Sequence, residues 1–318
     1  MKLISLGNQD QSSLGALVEG GVVDLTNAST AFASLRNVDD LCSALETDPS
    51  LLKRLDAACA STSPRWPTGE IVITAPLRRP GKILCVGLNY RDHCRETGTA
   101  FPERPVIFAK FASAIVGPNQ PIRFDRRLTK EVDWEVELAV VIGRETGPRR
   151  QLGLDAVLGY TVANDISARD LQRDEGQWVR AKSLDTFCPL GPAVVTADEV
   201  GTPQKLALGC TVNGLPQQRS NTSEMIFTVA DLVTHISAGI TLRPGDIILT
   251  GTPHGIGAFQ DPPQYLADGD LIDTWVAGLG HVENTVVAPW NTGPDRQEES
   301  ACSSHTPNAI TTTTQATI

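Results

Sequence analysis

The sequence predicts an α+β, β-rich protein. Short β-branched runs separated by Gly and Pro turns dominate from about residue 82 to residue 289. One well-signalled helix interrupts them, and a smaller segment of mixed α/β pattern precedes them. With 318 residues the chain is long enough for one large domain and a small one, with ample apolar surface to bury. Hydrophobic residues at 41% and charged residues at 20% describe an ordinary globular protein rather than a disordered or membrane-embedded one.

In the first 75 residues, Leu14 to Val18 and Gly21 to Leu25 read as strand pieces, and Val38, Leu41, Cys42 and Leu45 fall at helical spacing. We expect a small N-terminal module over residues 1–75. Pro64, Pro67, Pro76 and Pro80 punctuate the crossing into a second unit, residues 76–290, which opens on the buried-strand pattern Lys82-Ile83-Leu84-Cys85-Val86-Gly87. Its clearest further strands are Val136 to Ile142, Val157 to Val162, Leu206 to Val212 and Asp246 to Thr250. Thr228 and Asp231 make a capping-box start for a helix with the apolar stripe Val229, Leu232, Val233 and Ile236. Residues 291–318 collapse to Ser, Thr, Pro, Asn and Gln and are expected to form a disordered tail.

The charge excludes several function classes. A net charge of −10 and no Lys/Arg cluster speak against nucleic acid or an anionic membrane as a partner. No apolar run approaches the roughly 18 residues of a membrane span, and the first residues lack a leader-like apolar core. The expected address is the cytoplasm, with a mitochondrial one left open. Seven scattered cysteines without a C-x-x-C pair read as reduced, mostly core-filling thiols.

Chemistry concentrates in Lys130-Glu131-Val132-Asp133-Trp134-Glu135-Val136-Glu137-Leu138, where acids occupy every second position. In a strand, Glu131, Asp133, Glu135 and Glu137 would share one face. The run continues into apolar Ala139 to Ile142, and carboxylates at the entrance of a buried strand are costly unless a cation neutralises them. A second strand ends in Ala163-Asn164-Asp165, which brings another carboxylate to a strand terminus. Three carboxylates from two strand ends suit a hard, oxygen-seeking ion such as Mg²⁺ or Mn²⁺.

Five fragments in series carry a resemblance. They are Gly87-Leu88-Asn89-Tyr90 with Asp92-His93 and Glu96; Glu135-Val136-Glu137-Leu138; Asn164-Asp165-Ile166-Ser167-Ala168-Arg169-Asp170; Lys182-Ser183; and Leu249-Thr250-Gly251-Thr252-Pro253-His254-Gly255-Ile256-Gly257. Together they resemble the fumarylacetoacetate hydrolase family over about residues 70–289. Lys110 to Ser113, Glu131 to Trp134 and Leu184 to Pro192 are most similar to its subgroup called fumarylacetoacetate hydrolase domain-containing protein 2. The resemblance implies the family's mixed β-sheet fold, a homodimer, and Mg²⁺ or Mn²⁺ held by Glu135, Glu137 and Asp165. It implies that Lys182 faces the metal, where a fixed ammonium stabilises an enolate or oxyanion. Gln172 and Thr252 match substrate-contacting positions, and His254 is expected to be a bystander. His93 and Glu96, three apart on a short helix, resemble a pair carried on a lid, with Glu96 orienting His93 to activate water. Gly98, Pro102 and Pro105 bracket a loop consistent with such a lid.

The main functional expectation is metal-dependent hydrolysis of a C–C bond in a small acylpyruvate-like dicarbonyl acid, through a metal-stabilised enolate. Without attack by water, the same enolate permits keto–enol tautomerisation of oxaloacetate or decarboxylation of an oxo acid. A non-catalytic metal-binding relative is the remaining alternative.

Overall fold

The computed structural model describes residues 1–7, 12–67 and 71–288. The expected Ser/Thr-rich tail, 291–318, lies outside the described residues.

A sheet of eleven strands among the described residues organises the molecule. Its middle is the antiparallel pair Val136–Ile142 and Val157–Asn164, registered so that Val136 faces Asn164 and Glu137 faces Ala163. Ile247–Leu249 extends it antiparallel to Val136–Ile142, and Ile83–Gly87 adds in parallel before Val106–Lys110 closes that edge. On the other side Cys188–Thr196 pairs with Val157–Asn164, and Lys2–Gly7 pairs with Cys188–Thr196. Through this last pairing the N-terminal strands Ser12–Val18 and Gly21–Asp24 join the same sheet.

Alternation explains why the middle strands read as unbroken apolar runs. Leu138, Val140 and Ile142 enter one core cluster, while Ala139 and Val141 enter another on the opposite face. The helices Val38–Leu45 and Leu51–Ser61 cover that second face with Leu41, Leu45 and Leu55. Leu51–Ser61 was not evident in the sequence pattern. The first face packs on a five-stranded sheet built from residues 207–212, 215–221, 271–276, 280–287 and 122–123, and on the helix Val229–Ser237. That helix opens with a complete capping box, as Thr228 and Asp231 predicted.

The acidic run departs from the expected single strand. Val132–Asp133 pairs with Ser167–Ala168 as a separate two-stranded ladder, and the main strand begins only at Val136. Glu131 therefore leaves the shared face. It is partly exposed and forms an ion pair with Arg173.

Tight packing where the strand Val157–Asn164 passes Cys188–Thr196 gives a stability test. A Cβ at Gly159 would lie 2.2 Å from the Val195 carbonyl oxygen, whereas one at Gly239 would meet nothing within 4 Å. Gly159→Ala is expected to cost on the order of 2 kcal/mol or more, seen as a fall in Tm of roughly 5 °C. Gly239→Ala should leave Tm within about 1 °C or raise it slightly. Equal melting of both variants would contradict this packing.

Candidate active site

A cavity of about 500 Å³ opens at the end of the central sheet, and His93, Glu135, Glu137, Gln172, Lys182 and Thr252 all line it. Asp165 lies just behind, fully buried. Oxygen atoms of Glu135, Glu137 and Asp165 lie within 4.8 Å of one another. The sheet register brings them together. The Asp165 amide donates to the Glu135 carbonyl at 2.9 Å, and the Glu135 amide donates to Asn164 Oδ1 at 2.9 Å. Glu137 follows two residues later and so returns to the same side.

Two buried lysines hold Asp165. Lys182 Nζ lies 2.8 Å from both Glu135 Oε2 and Asp165 Oδ2. Lys110 Nζ donates to Asp165 Oδ1 at 2.7 Å, to the Ile166 carbonyl and to the Lys182 carbonyl. Arg169 supplies a third cation, with Nε 2.9 Å from Asp133 Oδ2 and an Nη 2.6 Å from Glu135 Oε1. Sequence reasoning gave Lys110, Arg169 and Asp133 no site role. The available signals were slight: one lysine ending the otherwise apolar strand Val106–Lys110, and an arginine four residues after Asp165.

These contacts set the protonation of the site. Burial opposes ionisation of Glu135, but Lys182 and Arg169 outweigh it and hold the carboxyl down at about 2. Burial also works against the Lys182 ammonium, but Asp165 and Glu135 overcome it and raise its pKa. Lys182 is thus a fixed cation rather than a base. Burial pushes Glu137 well above the usual carboxylate range, reinforced by Asp165 and Glu135. Its Oε2 accepts from the Gly251 amide at 2.6 Å, yet among the described residues it has no ion-pair partner. Four buried carboxyl groups, Asp133, Glu135, Glu137 and Asp165, therefore face three buried cations, and the one left without a counter-cation is Glu137, a member of the three-oxygen cluster. An all-oxygen donor set with one carboxyl group lacking a counter-cation fits a hard divalent cation.

The second half of the site is the helix Arg91–Glu96. His93 Nδ1 pairs with Glu96 Oε2 at 3.0 Å, leaving Nε2 as the ring nitrogen available for proton transfer. Glu96 Oε1 accepts from the Gly255 amide at 2.8 Å, so the helix is tied to the turn that follows the strand Ile247–Leu249. Phe259 stands edge-on to the His93 ring, with centroids 6.3 Å apart. Within the same turn, Thr252 Oγ1 accepts from Gln218 Nε2 at 2.9 Å. Gly251 has φ +99°, and a Cβ there would lie 2.8 Å from Asn89 Cβ, so the turn can pass this close only as glycine. Gln172 Oε1 accepts from Arg169 Nη1 at 3.0 Å, which leaves its amide N–H groups for another partner. His254 does not line the cavity. It is exposed, with Nδ1 3.1 Å from Asp92 Oδ2.

Chemically, the arrangement places a fixed ammonium, a three-carboxylate cluster and an imidazole with one free nitrogen around a single small cavity. No helix among the described residues is long and apolar enough to cross a membrane.

Comparison with known proteins agrees with this geometry. Residues 82–287 match the family model described as fumarylacetoacetate (FAA) hydrolase C-terminal. The chain is 46% identical over 271 residues to oxaloacetate tautomerase FAHD2A, mitochondrial, of Bos taurus, covering 84% of each protein. Among solved structures, fumarylacetoacetate hydrolase (EaFAH) from psychrophilic Exiguobacterium antarcticum superposes with a TM-score of 0.78 at 36% identity. That match covers 91% of this chain and 99% of the other. The 5-carboxymethyl-2-hydroxymuconate delta-isomerase of Mycobacterium smegmatis gives a TM-score of 0.68 at 36% identity, covering 90% and 98%. The family's fold thus carries both a hydrolase and an isomerase, and this chain, matched over the whole of its central sheet and site, belongs to the fumarylacetoacetate hydrolase family.

Proposed function

We propose that this protein is a metal-dependent keto–enol tautomerase of a small oxo dicarboxylate, with oxaloacetate as its substrate. The observation that carries the reading is the shared cavity in which the Lys182 ammonium and the His93 imidazole both stand. Tautomerisation needs these two elements: a cation beside the oxygen that gains charge and a positioned base for a carbon-bound proton. The 46% identity to a protein named oxaloacetate tautomerase supports this reading over the C–C hydrolysis expected from the sequence.

Glu135, Glu137 and Asp165 would hold Mg²⁺ or Mn²⁺, which when bound supplies Lewis-acid polarisation of the substrate's oxygens. His93 takes a proton from the substrate's C3 through Nε2, while Glu96 holds its other nitrogen and stabilises the charge. The C3–H electron pair becomes the C2=C3 double bond. The C2 oxygen accumulates charge beside Lys182 and then takes a proton back from the His93 imidazolium, directly or through water, giving the enol and restoring the neutral imidazole. The reverse sequence returns the keto form. Thr252 and the free amide of Gln172 are placed to orient the substrate's carboxylate groups. For the compartment, the relatives' printed names favour the mitochondrion over the cytosol, and cell fractionation distinguishes the two.

Hydrolysis remains the second reading because the His93–Glu96 pair is also the arrangement that activates water. One NMR time course in D₂O, following deuterium at C3 and release of pyruvate, separates the two. The tautomerase is expected to exchange C3 protons of oxaloacetate and to leave acylpyruvates intact. His93→Ala should slow that exchange by on the order of 10²-fold. Exchange that survives in His93→Ala while acylpyruvate cleavage is lost would overturn the tautomerase in favour of the hydrolase.

Metal binding has its own test. Only ionised Glu137 can take the cation, so below its raised pKa a proton must leave first. Mn²⁺ affinity should therefore weaken as pH falls, by up to about tenfold per unit, with proton release visible by calorimetry in two buffers. Glu137→Gln is expected to abolish binding with little change in Tm, because no ion pair is lost. Asp165→Ala should abolish binding and also destabilise the fold by about 3–5 kcal/mol, since buried Lys110 loses its carboxylate partner and buried Lys182 loses one of its two. Unchanged Mn²⁺ affinity in both variants would refute the site.

A further inference from the structure

We propose that Trp134, buried and outside the cavity, is a positioning residue for His93, acting through the Gly255 peptide and Glu96. The inference rests on the reading of His93 as the group that moves the substrate's proton.

The path is a continuous set of hydrogen bonds. The Trp134 indole N–H donates to the Gly255 carbonyl at 3.0 Å. The amide of the same residue donates to Glu96 Oε1 at 2.8 Å, and Glu96 Oε2 pairs with His93 Nδ1 at 3.0 Å. Both polar groups of one residue are thus committed in opposite directions, one to the indole and one to the carboxylate that holds the imidazole. The indole anchors the Gly255 carbonyl and so restrains the residue whose amide holds Glu96, and with it the ring.

The turn has little freedom to relax. Gly255 has φ +95°, and a Cβ there would lie 2.1 Å from the Gln217 carbonyl oxygen. A Cβ at Gly257 would lie 2.0 Å from the Gln264 carbonyl oxygen and 2.9 Å from the indole's Cη2. Asp133, beside Trp134 in the chain, accepts from the Gly257 amide at 2.7 Å and the Ala258 amide at 3.0 Å. The Asp133-Trp134 pair therefore grips the turn at three points, immediately before the chain reaches Glu135. The end of the strand that carries the carboxylate cluster and the helix that carries the imidazole are fixed to one element, which sets the separation between the base and the cation face of the cavity. A displacement of about 1 Å between such groups is enough to cost on the order of 10²-fold in rate.

A purely structural role for Trp134 predicts a different pattern, and a double-mutant cycle separates the two. Trp134→Phe keeps the buried aromatic ring and removes the N–H donor. In Mg²⁺-supplied protein it is expected to lower kcat for C3 exchange about 10-fold with KM and Mn²⁺ affinity unchanged. In a His93→Ala background the same substitution should have less than about a twofold effect. Independently of turnover, ¹H–¹⁵N spectra of the imidazoles report the tautomer. The chain has five histidines, and loss of a signal in His93→Ala assigns the one that matters. Trp134→Phe should shift the His93 ring nitrogens toward a mixture of tautomers. An equal rate loss in both backgrounds, or unchanged His93 ring signals, overturns the proposal. If no oxo acid is turned over, the proposed activity fails, and the ring signals alone decide the positioning role. Should Trp134→Phe not fold, the link is read in reverse: Glu96→Gln must shift the Trp134 indole N–H resonance among the five tryptophans, and an unmoved resonance overturns the link.

Discussion

The structure turns on the burial of four carboxylates at one end of an apolar sheet. Asp133, Glu135, Glu137 and Asp165 are each at most 6% exposed, in a position where unpaired charge is prohibitive. Much of the local architecture follows from offsetting that cost. Lys110 and Lys182 bracket Asp165, Arg169 bridges Asp133 and Glu135, and backbone amides of Gly251, Gly257 and Ala258 turn toward the remaining oxygens. The compensation is incomplete at Glu137, and that shortfall suits the cluster to a cation rather than to a closed ion-pair network.

The same constraint divides labour between two halves of the cavity. One half is rigid: both central strands bury both faces, and the lysines and arginine are held by several acceptors each. The other half is a six-residue helix held by polar contacts to the glycine-rich turn on one side and to Ser220, Glu224 and Met225 on the other. In the proposed reaction, preorganised charge stabilisation falls to the first and proton transfer to the second. The relatives that share this fold include proteins named as an isomerase and as a hydrolase, so the fold by itself does not fix the reaction.

The sequence by itself determined the β-rich class, the capping box at Thr228 and Asp231, and the strands Val136 to Ile142 and Val157 to Val162, the latter running on to Asn164 in the structure, because period-2 burial and cap chemistry are local properties. The acidic spacing singled out Glu135, Glu137 and Asp165, and the resemblance to the family added Lys182, Gln172, Thr252 and the His93–Glu96 pair; the structure brings them to one cavity or its immediate wall. Other features were decided only in three dimensions. Lys110 reaches Asp165 across 55 residues, and Trp134 reaches Gly255 across 121, so neither has a neighbour in sequence that discloses its partner. The break of the acidic run at Trp134 was hidden for the same reason: alternation shows which residues share a face only while the strand continues, and here Asp133 left that face to meet Arg169 and the amides of a turn more than 120 residues away.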